Sequence, residues 1–204
     1  MSILVRDAVL ADVPGIVRVH QEAFSGFLLT DLGPCFLANL YAGFIAIPGG
    51  TLLIAESAIG NAVGFLAAAR APSVFFGIMR RRQGLSMAVS AVPGLLRHPL
   101  RVGERLLSAL FYRGDQPVDL PGYWLLSSLG VASGEVRKGV AGALMAYFLD
   151  NCHRAGANGV YLLTDQQNND SVLKFYANHR FEARAVKSRR SGRRLVLMVR
   201  RFSQ

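Results

Sequence analysis

A chain of 204 residues, 51% of them hydrophobic and 18% charged, is long enough to bury a core in one domain and too apolar to be disordered. Its formal net charge of +10 attracts polyanions, a class that includes nucleic acids, anionic membranes and phosphorylated small molecules. The charge is uneven: residues 1–71 carry three cations and five anions, residues 72–118 seven and two, and residues 119–204 thirteen and six.

SILVR opens the chain as a short strand, and Arg6 and Asp7 interrupt it too early for a signal peptide or a membrane span. LADVPGIVRVHQEAF then predicts a helix capped by Asp12, with Pro14 in its first turn and an apolar stripe of Val13, Ile16, Val17, His20 and Phe24. A second helix starts at Pro34 and repeats Phe36, Leu37, Leu40, Tyr41 and Phe44 at helical spacing. The connection between the helices, FSGFLLTDLG, is unusually apolar, which suits a pocket lining. TLLIAES and AVGFLAAAR form a predicted antiparallel hairpin.

Residues 72–118 read as a helical insertion within a single domain spanning 1–204: Arg80, Arg81 and Arg82 precede LSMAVSAV, and Val102, Leu106, Ala109 and Leu110 share one face. YWLLSSLGV returns to strand, with Gly130 as the expected position of a bulge. The helix GALMAYFLDNCHRAGA, the buried strand GVYLLTD, a helix in NNDSVLKFYANH and a closing hairpin of FEARAVKS with RRLVLMVRR across RRSG complete the chain. The longest apolar stretches, FLANLYAGFIAI and GLSMAVSAV, fall short of the roughly 18 residues a membrane helix needs. Cys35 and Cys152 have neither metal-ligand nor disulfide-framework spacing. The expectation is a soluble cytoplasmic protein without a metal.

Between the strand SLGV and its following helix lies ASGEVRKGVAG. The first amides of a helix have no intrahelical acceptor and sit at the positive end of the macrodipole, so a phosphate there gains several hydrogen bonds. Gly139 admits close backbone approach, Ala141, Gly142 and Ala143 keep the first turn thin, and Arg137 and Lys138 add mobile positive charge. Taken alone the stretch is equally an ordinary glycine turn entering a core helix. It matches neither G-x-x-x-x-G-K-[ST] nor the dinucleotide G-x-G-x-x-G.

The order of strand LLSSLGV, loop ASGEVRKGVA, helix, strand GVYLLTD and helix NNDSVLKFYANHRF resembles the GNAT superfamily of acyl-CoA-dependent N-acyltransferases. VRKGVA, residues 136–141, is similar to the family's pyrophosphate loop Q/R-x-x-G-x-G/A at Gly139 and Ala141, with Val136 departing from it. The family's later pattern, an Asn followed seven residues on by a Tyr and then a turn ending in Phe, resembles Asn169, Tyr176 and Phe181, with Arg180 standing where Gly is common. The resemblance covers nearly all of the chain except residues 72–118.

It implies an α/β (α+β) fold with a mixed, mostly antiparallel central sheet, a splayed parallel strand pair and flanking helices. It further implies that acetyl-CoA lies in the splay, its pantetheine paired with Leu129 and Val131, its pyrophosphate on Val136, Arg137, Lys138, Gly139, Val140, Ala141 and Gly142, and Asn169 capping its helix while contacting the arm or a neighbouring strand. The implied reaction is acetyl transfer to a primary amine of a small-molecule acceptor such as an amino sugar or a nucleotide-linked amino sugar. The Val131 amide is the implied oxyanion donor and Tyr176 the general acid, since a phenol of pKa ~10 stays protonated near neutrality. The base is sought among His20, Glu22 and Asp31 near the first helices, with Glu22 chosen.

For the insertion a lid or pocket wall ranks ahead of a homodimer interface, and that ahead of peripheral contact with an anionic membrane. A non-catalytic acyl-CoA-binding module and a basic nucleic-acid-binding protein are the alternatives. The latter is disfavoured because the basic segments lack interleaved aromatics, helix-turn-helix features or zinc spacing, so no nucleic-acid partner is expected.

Overall fold

The structure is a computed structural model and describes residues 3–97, 120–188 and 194–202. Strand β1 (Leu4–Asp7) leads through a short 3-10 turn into helix α1 (Val13–Ala23), the one-turn helix α2 (Leu28–Asp31) and helix α3 (Pro34–Ala46). Strands β2 (Gly50–Glu56) and β3 (Ala62–Ala69) precede helix α4 (Pro72–Arg97). Then follow β4 (Tyr123–Val131), α5 (Val140–Arg154), β5 (Gly159–Asp165), α6 (Asp170–Asn178), β6 (Glu182–Ser188) and β7 (Arg194–Arg201). The seven strands form one sheet in the order β1-β2-β3-β4-β5-β7-β6, antiparallel except for the parallel pair β4 and β5. The first part of the expected insertion is α4, while residues 98–118 and the closing-hairpin turn at 189–193 lie outside the described residues.

The sheet is buried on both faces, which is why its central strands read as nearly continuous apolar runs rather than alternating ones. Alternate residues of β2 enter different cores: Leu52 and Ile54 join Ile16, Leu37, Tyr41, Phe44 and Phe65 beneath α1 and α3, whereas Leu53 and Ala55 join Leu144, Phe148, Leu162 and Tyr176 beneath α5 and α6. Helix α4 contributes Phe75 and Met79 to the first of these cores, lying along α3. Near its end an added Cβ at Gly94 would stand 2.3 Å from the Asp31 carbonyl oxygen, so this helix backbone presses directly on the α2 turn.

Two local expectations are corrected. Asp12 occupies the position before α1 but makes no cap to it; its carboxylate instead accepts from the Val9 amide (2.8 Å) and from Arg6 (2.7 and 2.9 Å), whose guanidinium also reaches Glu56. The bidentate Arg6 pairing outcompetes a single amide bond. The bulge in β4 is at Ser127 rather than Gly130: Ala67 pairs with Ser128 while Ala68 pairs with Leu126. Gly130 lies in regular strand and is glycine for another reason, because a Cβ there would meet Phe65 at 2.5 Å and Phe24 at 3.1 Å.

That bulge reverses the side-chain parity of β4. Before it, Trp124 and Leu126 face the α5 core; after it, Leu129 and Val131 do. Ser128 and Gly130 are thereby turned toward α1 and α3.

Gly64 on β3 sets how closely α5 approaches. Its absent Cβ would stand 2.6 Å from Val140 Cγ1 and 3.0 Å from Leu144 Cδ1, both in the first turns of α5. Gly64→Val is expected to cost about 1–3 kcal/mol by overpacking. It should lower the thermal midpoint by roughly 2–10 °C in a chain of this size, measured by circular dichroism.

Candidate active site

β4 and β5 pair only at Tyr123 with Gly159, Trp124 with Val160 and Leu125 with Tyr161, although β4 runs on to Val131 and β5 to Asp165. On their outer edges both remain paired, β4 with β3 as far as Val131 and β5 with β7 as far as Asp165. The two strands therefore part after Leu125 and Tyr161, leaving a slot between facing backbone edges. The Ala132 amide donates to Val63 of β3 at 2.9 Å. Since successive strand amides point to opposite edges, the amides of Leu129 and Val131 face the slot. Such groups require a hydrogen-bond partner, and an extended amide-bearing chain supplies one.

The slot opens toward the loop before α5. That helix begins on Gly139, which is left-handed (φ 86°) and lacks a side-chain cap; its first internal bond runs from the Ala143 amide to the Gly139 carbonyl at 2.9 Å. The amides of Val140, Ala141 and Gly142 consequently have no intrahelical acceptor. Arg137 is left-handed as well (φ 66°), a conformation costly for a residue with a side chain. Alternating left-handed residues curl a loop so that its amides converge on an anion. Residues 136–139 are exposed, and a Cβ on Gly139 would meet none of the described residues within 4 Å apart from its chain neighbours. Lys138 Nζ lies 3.3 Å from Glu135 Oε1, which tethers one cation at the rim. The chain thus offers acetyl-CoA two fitting features: a strand edge for its amide arm and bare amides for its pyrophosphate.

Tyr176 stands on α6 in the same apolar cluster as Leu126 of β4, Leu162 of β5 and Val140 of α5, so it shares a sheet face with the loop before α5. Its ring packs edge-on against Phe175 and Phe181, and burial pushes its phenol above the ordinary value. The hydroxyl makes no hydrogen bond among the described residues. The turn after α6 is closed by Phe181 N to Tyr176 O at 3.1 Å, with Arg180 itself left-handed (φ 61°) where glycine is the easy choice. Asn169 does not cap α6 with its side chain, a further correction, but it makes the expected contact with a neighbouring strand. Its Nδ2 donates to Thr164 Oγ1 and to the Asp165 carbonyl, both at 2.8 Å, tying the free end of β5 to α6.

The candidate bases are dispersed. Glu22 Oε1 pairs with Arg18 at 3.1 Å and Oε2 accepts from the Ser133 amide at 3.3 Å. Glu22 borders a groove with Asn61, Ala62 and Gly134 on the β3 side of β4, whereas the slot opens on the β5 side. Asp31 lies under α4. His20, 2% exposed, contacts the Tyr41 hydroxyl through Nδ1 and packs on Phe24 and Phe65.

Burial lowers His20 to a pKa of about 4. A native pKa below the unfolded value of ~6.5 means the unfolded chain takes up the proton first, so stability is full above pH 6.5 and is lost as pH falls toward 4. The loss is on the order of 3 kcal/mol. Urea melts at pH 7 and pH 4.5 should show most of it, and His20→Leu should abolish that part of the difference.

Sequence reasoning missed the Ser127 bulge, Gly64 and the Tyr41 hydroxyl. Of these only Gly64, a lone glycine inside a strand pattern, left a local signal.

No family model and no curated protein matches the sequence. Solved structures do. A histone acetyltransferase HPA2 and related acetyltransferase from Corynebacterium glutamicum is 21% identical, covering all of this chain and 98% of that one with a TM-score of 0.63. A GNAT-family acetyltransferase from Bacillus cereus is 13% identical over the whole of both chains with a TM-score of 0.60. A NatC complex bound to Gag peptide and CoA contains a chain 12% identical over the whole of both chains, also at 0.60. Likeness at these identities is a likeness of architecture, and with its seven-stranded sheet parted between β4 and β5 the chain has the fold of the GNAT superfamily.

Proposed function

We propose that the protein is an N-acetyltransferase that moves an acetyl group from acetyl-CoA to a primary amine of a small-molecule acceptor. The observation that carries this reading is the conjunction of the β4–β5 slot with the uncapped amides of Val140, Ala141 and Gly142 at one end of it. A coenzyme with an amide-bearing arm and a diphosphate satisfies both at once, and it would supply the activated acyl thioester.

In this reading Leu129 and Val131 bind the arm by backbone hydrogen bonds, and the loop from Val136 to Gly142 holds the phosphates. The Val131 amide faces the position where charge develops on the carbonyl oxygen. Tyr176 keeps its proton well above neutrality because it is buried, and it donates that proton to the departing sulfur. Asn169 braces the β5 wall. Glu22, engaged by Arg18 and the Ser133 amide, positions the loop before α5. An acceptor amine of low pKa, such as that of an amino sugar or nucleotide-linked amino sugar, needs little help in losing its proton.

The pocket-wall reading of the insertion gains support from the contact of Gly94 with the α2 turn. The exposed Leu85, Val89, Val92 and Leu96 beside Arg81 and Arg82 are the surface on which a homodimer or membrane contact would rest.

A second reading, an acyl-CoA-binding module without turnover, is favoured by the engagement of both Glu22 oxygens. Thermal shift with acetyl-CoA and thiol release with a panel of amino sugars, nucleotide-linked amino sugars, amino acids and short peptides decide between the two. Stabilisation with thiol release supports the enzyme, stabilisation alone supports the module, and no stabilisation sinks both.

A further inference from the structure

Three polar side chains run through the otherwise apolar core beneath α1 and α3. His20 Nδ1 lies 2.5 Å from the hydroxyl of Tyr41, which is fully buried, and the Ser128 side chain comes near enough to that hydroxyl to lower its pKa against the effect of burial. Their surroundings are the rings of Phe24, Phe44 and Phe65. His20 Nε2 is buried with no partner among the described residues.

Keeping such groups here is costly: an unpaired buried nitrogen alone costs about 1–3 kcal/mol. Leucine at position 20 and phenylalanine at 41 would fill much the same space without that cost. What a chain of hydrogen bonds through these three groups would deliver is a fixed Ser128 hydroxyl. The Ser127 bulge turns Ser128 to this face, half-buried, on the stretch of β4 whose far edge is open to the slot.

We propose that His20 and Tyr41 are positioning residues that hold the Ser128 hydroxyl as a hydrogen-bond acceptor for the amine entering the slot, an inference that rests on the acetyl-transfer reading. The Ser128 O–H donates to Tyr41, and the Tyr41 O–H donates to His20 Nδ1. His20 is then the Nε2–H tautomer, and the Ser128 lone pairs are left for the amine. An amine that gives its N–H to Ser128 keeps its own lone pair free to meet the thioester carbon. No proton passes along the chain. Burial keeps His20 neutral down to about pH 4 and raises Tyr41 above its ordinary value, so neither ion forms near neutrality.

The test uses the full chain, acetyl-CoA and the amine from the panel that releases thiol fastest. Tyr41→Phe and Ser128→Ala are each expected to lower kcat about tenfold, the loss of one hydrogen bond, with the KM for acetyl-CoA within about twofold. The double variant should fall no further, because either change breaks the same chain. Tyr41→Phe leaves His20 Nδ1 unpaired, so His20→Leu/Tyr41→Phe serves as folding control; it should melt at or above the single variant yet keep the kcat loss. Nitrogen-15 NMR of the His20 ring should report the Nε2–H tautomer at pH 7. Unchanged kcat in both single variants, additive losses, or the Nδ1–H tautomer overturns this proposal and leaves acetyl transfer standing. A wild-type protein that binds acetyl-CoA yet releases thiol with no amine overturns acetyl transfer and this proposal with it.

Discussion

Replacing Gly139 with valine is expected to weaken acetyl-CoA binding by about 30- to 1,000-fold, measured by titration calorimetry. The φ of 86° at this position costs a β-branched residue at least ~1–2 kcal/mol, and relief of that strain moves the amides that follow. Each hydrogen bond to a charged acceptor contributes roughly 1.5–3 kcal/mol, so losing one or two accounts for the range. Among the described residues nothing beyond its chain neighbours lies within 4 Å of the added Cβ, so it would project into open space beside the loop. Gly134→Ala in the same loop also meets no neighbour, and its glycine is not left-handed, so its affinity should stay within about twofold. Normal affinity in Gly139→Val would move the phosphates elsewhere.

Tyr176→Phe is expected to lower kcat by about 100-fold or more, the usual scale for removing a general acid, with acetyl-CoA affinity changed less than about twofold. The substitution keeps the ring contacts with Phe175 and Phe181, and the hydroxyl it removes makes no hydrogen bond among the described residues, so the fold has little reason to respond. Because burial raises the phenol above its ordinary value, the proton it donates stays in place as pH rises. The wild-type kcat should therefore show no decline from this group below about pH 10. Equal losses of kcat and affinity in Tyr176→Phe would make the residue structural.

Much of the architecture was legible because it is written at short range. Helical spacing in α1 and α3, the β2–β3 hairpin, and the strand–loop–helix order around Gly139 are local patterns, and local propensity and topology agree at those places. The Asp12 and Asn169 side chains do not make the expected helix caps, for one reason. Each can satisfy a helix amide nearby in sequence, but each has a better partner set, Arg6 and the Val9 amide for Asp12 and the end of β5 for Asn169.

Most strands and the longer helices, the glycine turn entering the helix after β4 and Tyr176 one helix later are readable in the local pattern, whereas the α2 turn lies in a stretch that reads as a connection. Which edges part between β4 and β5, which face Ser128 occupies after the bulge, and which groups Glu22 meets are set by long-range packing. Glu22 meets the Ser133 amide across 111 residues of chain, Gly64 is glycine because α5 descends on it, and His20 owes its lowered pKa to burial. Each is a property of packing between elements distant in sequence. A side chain carries no mark of the partner it will meet, because that partner is chosen by how the whole core closes.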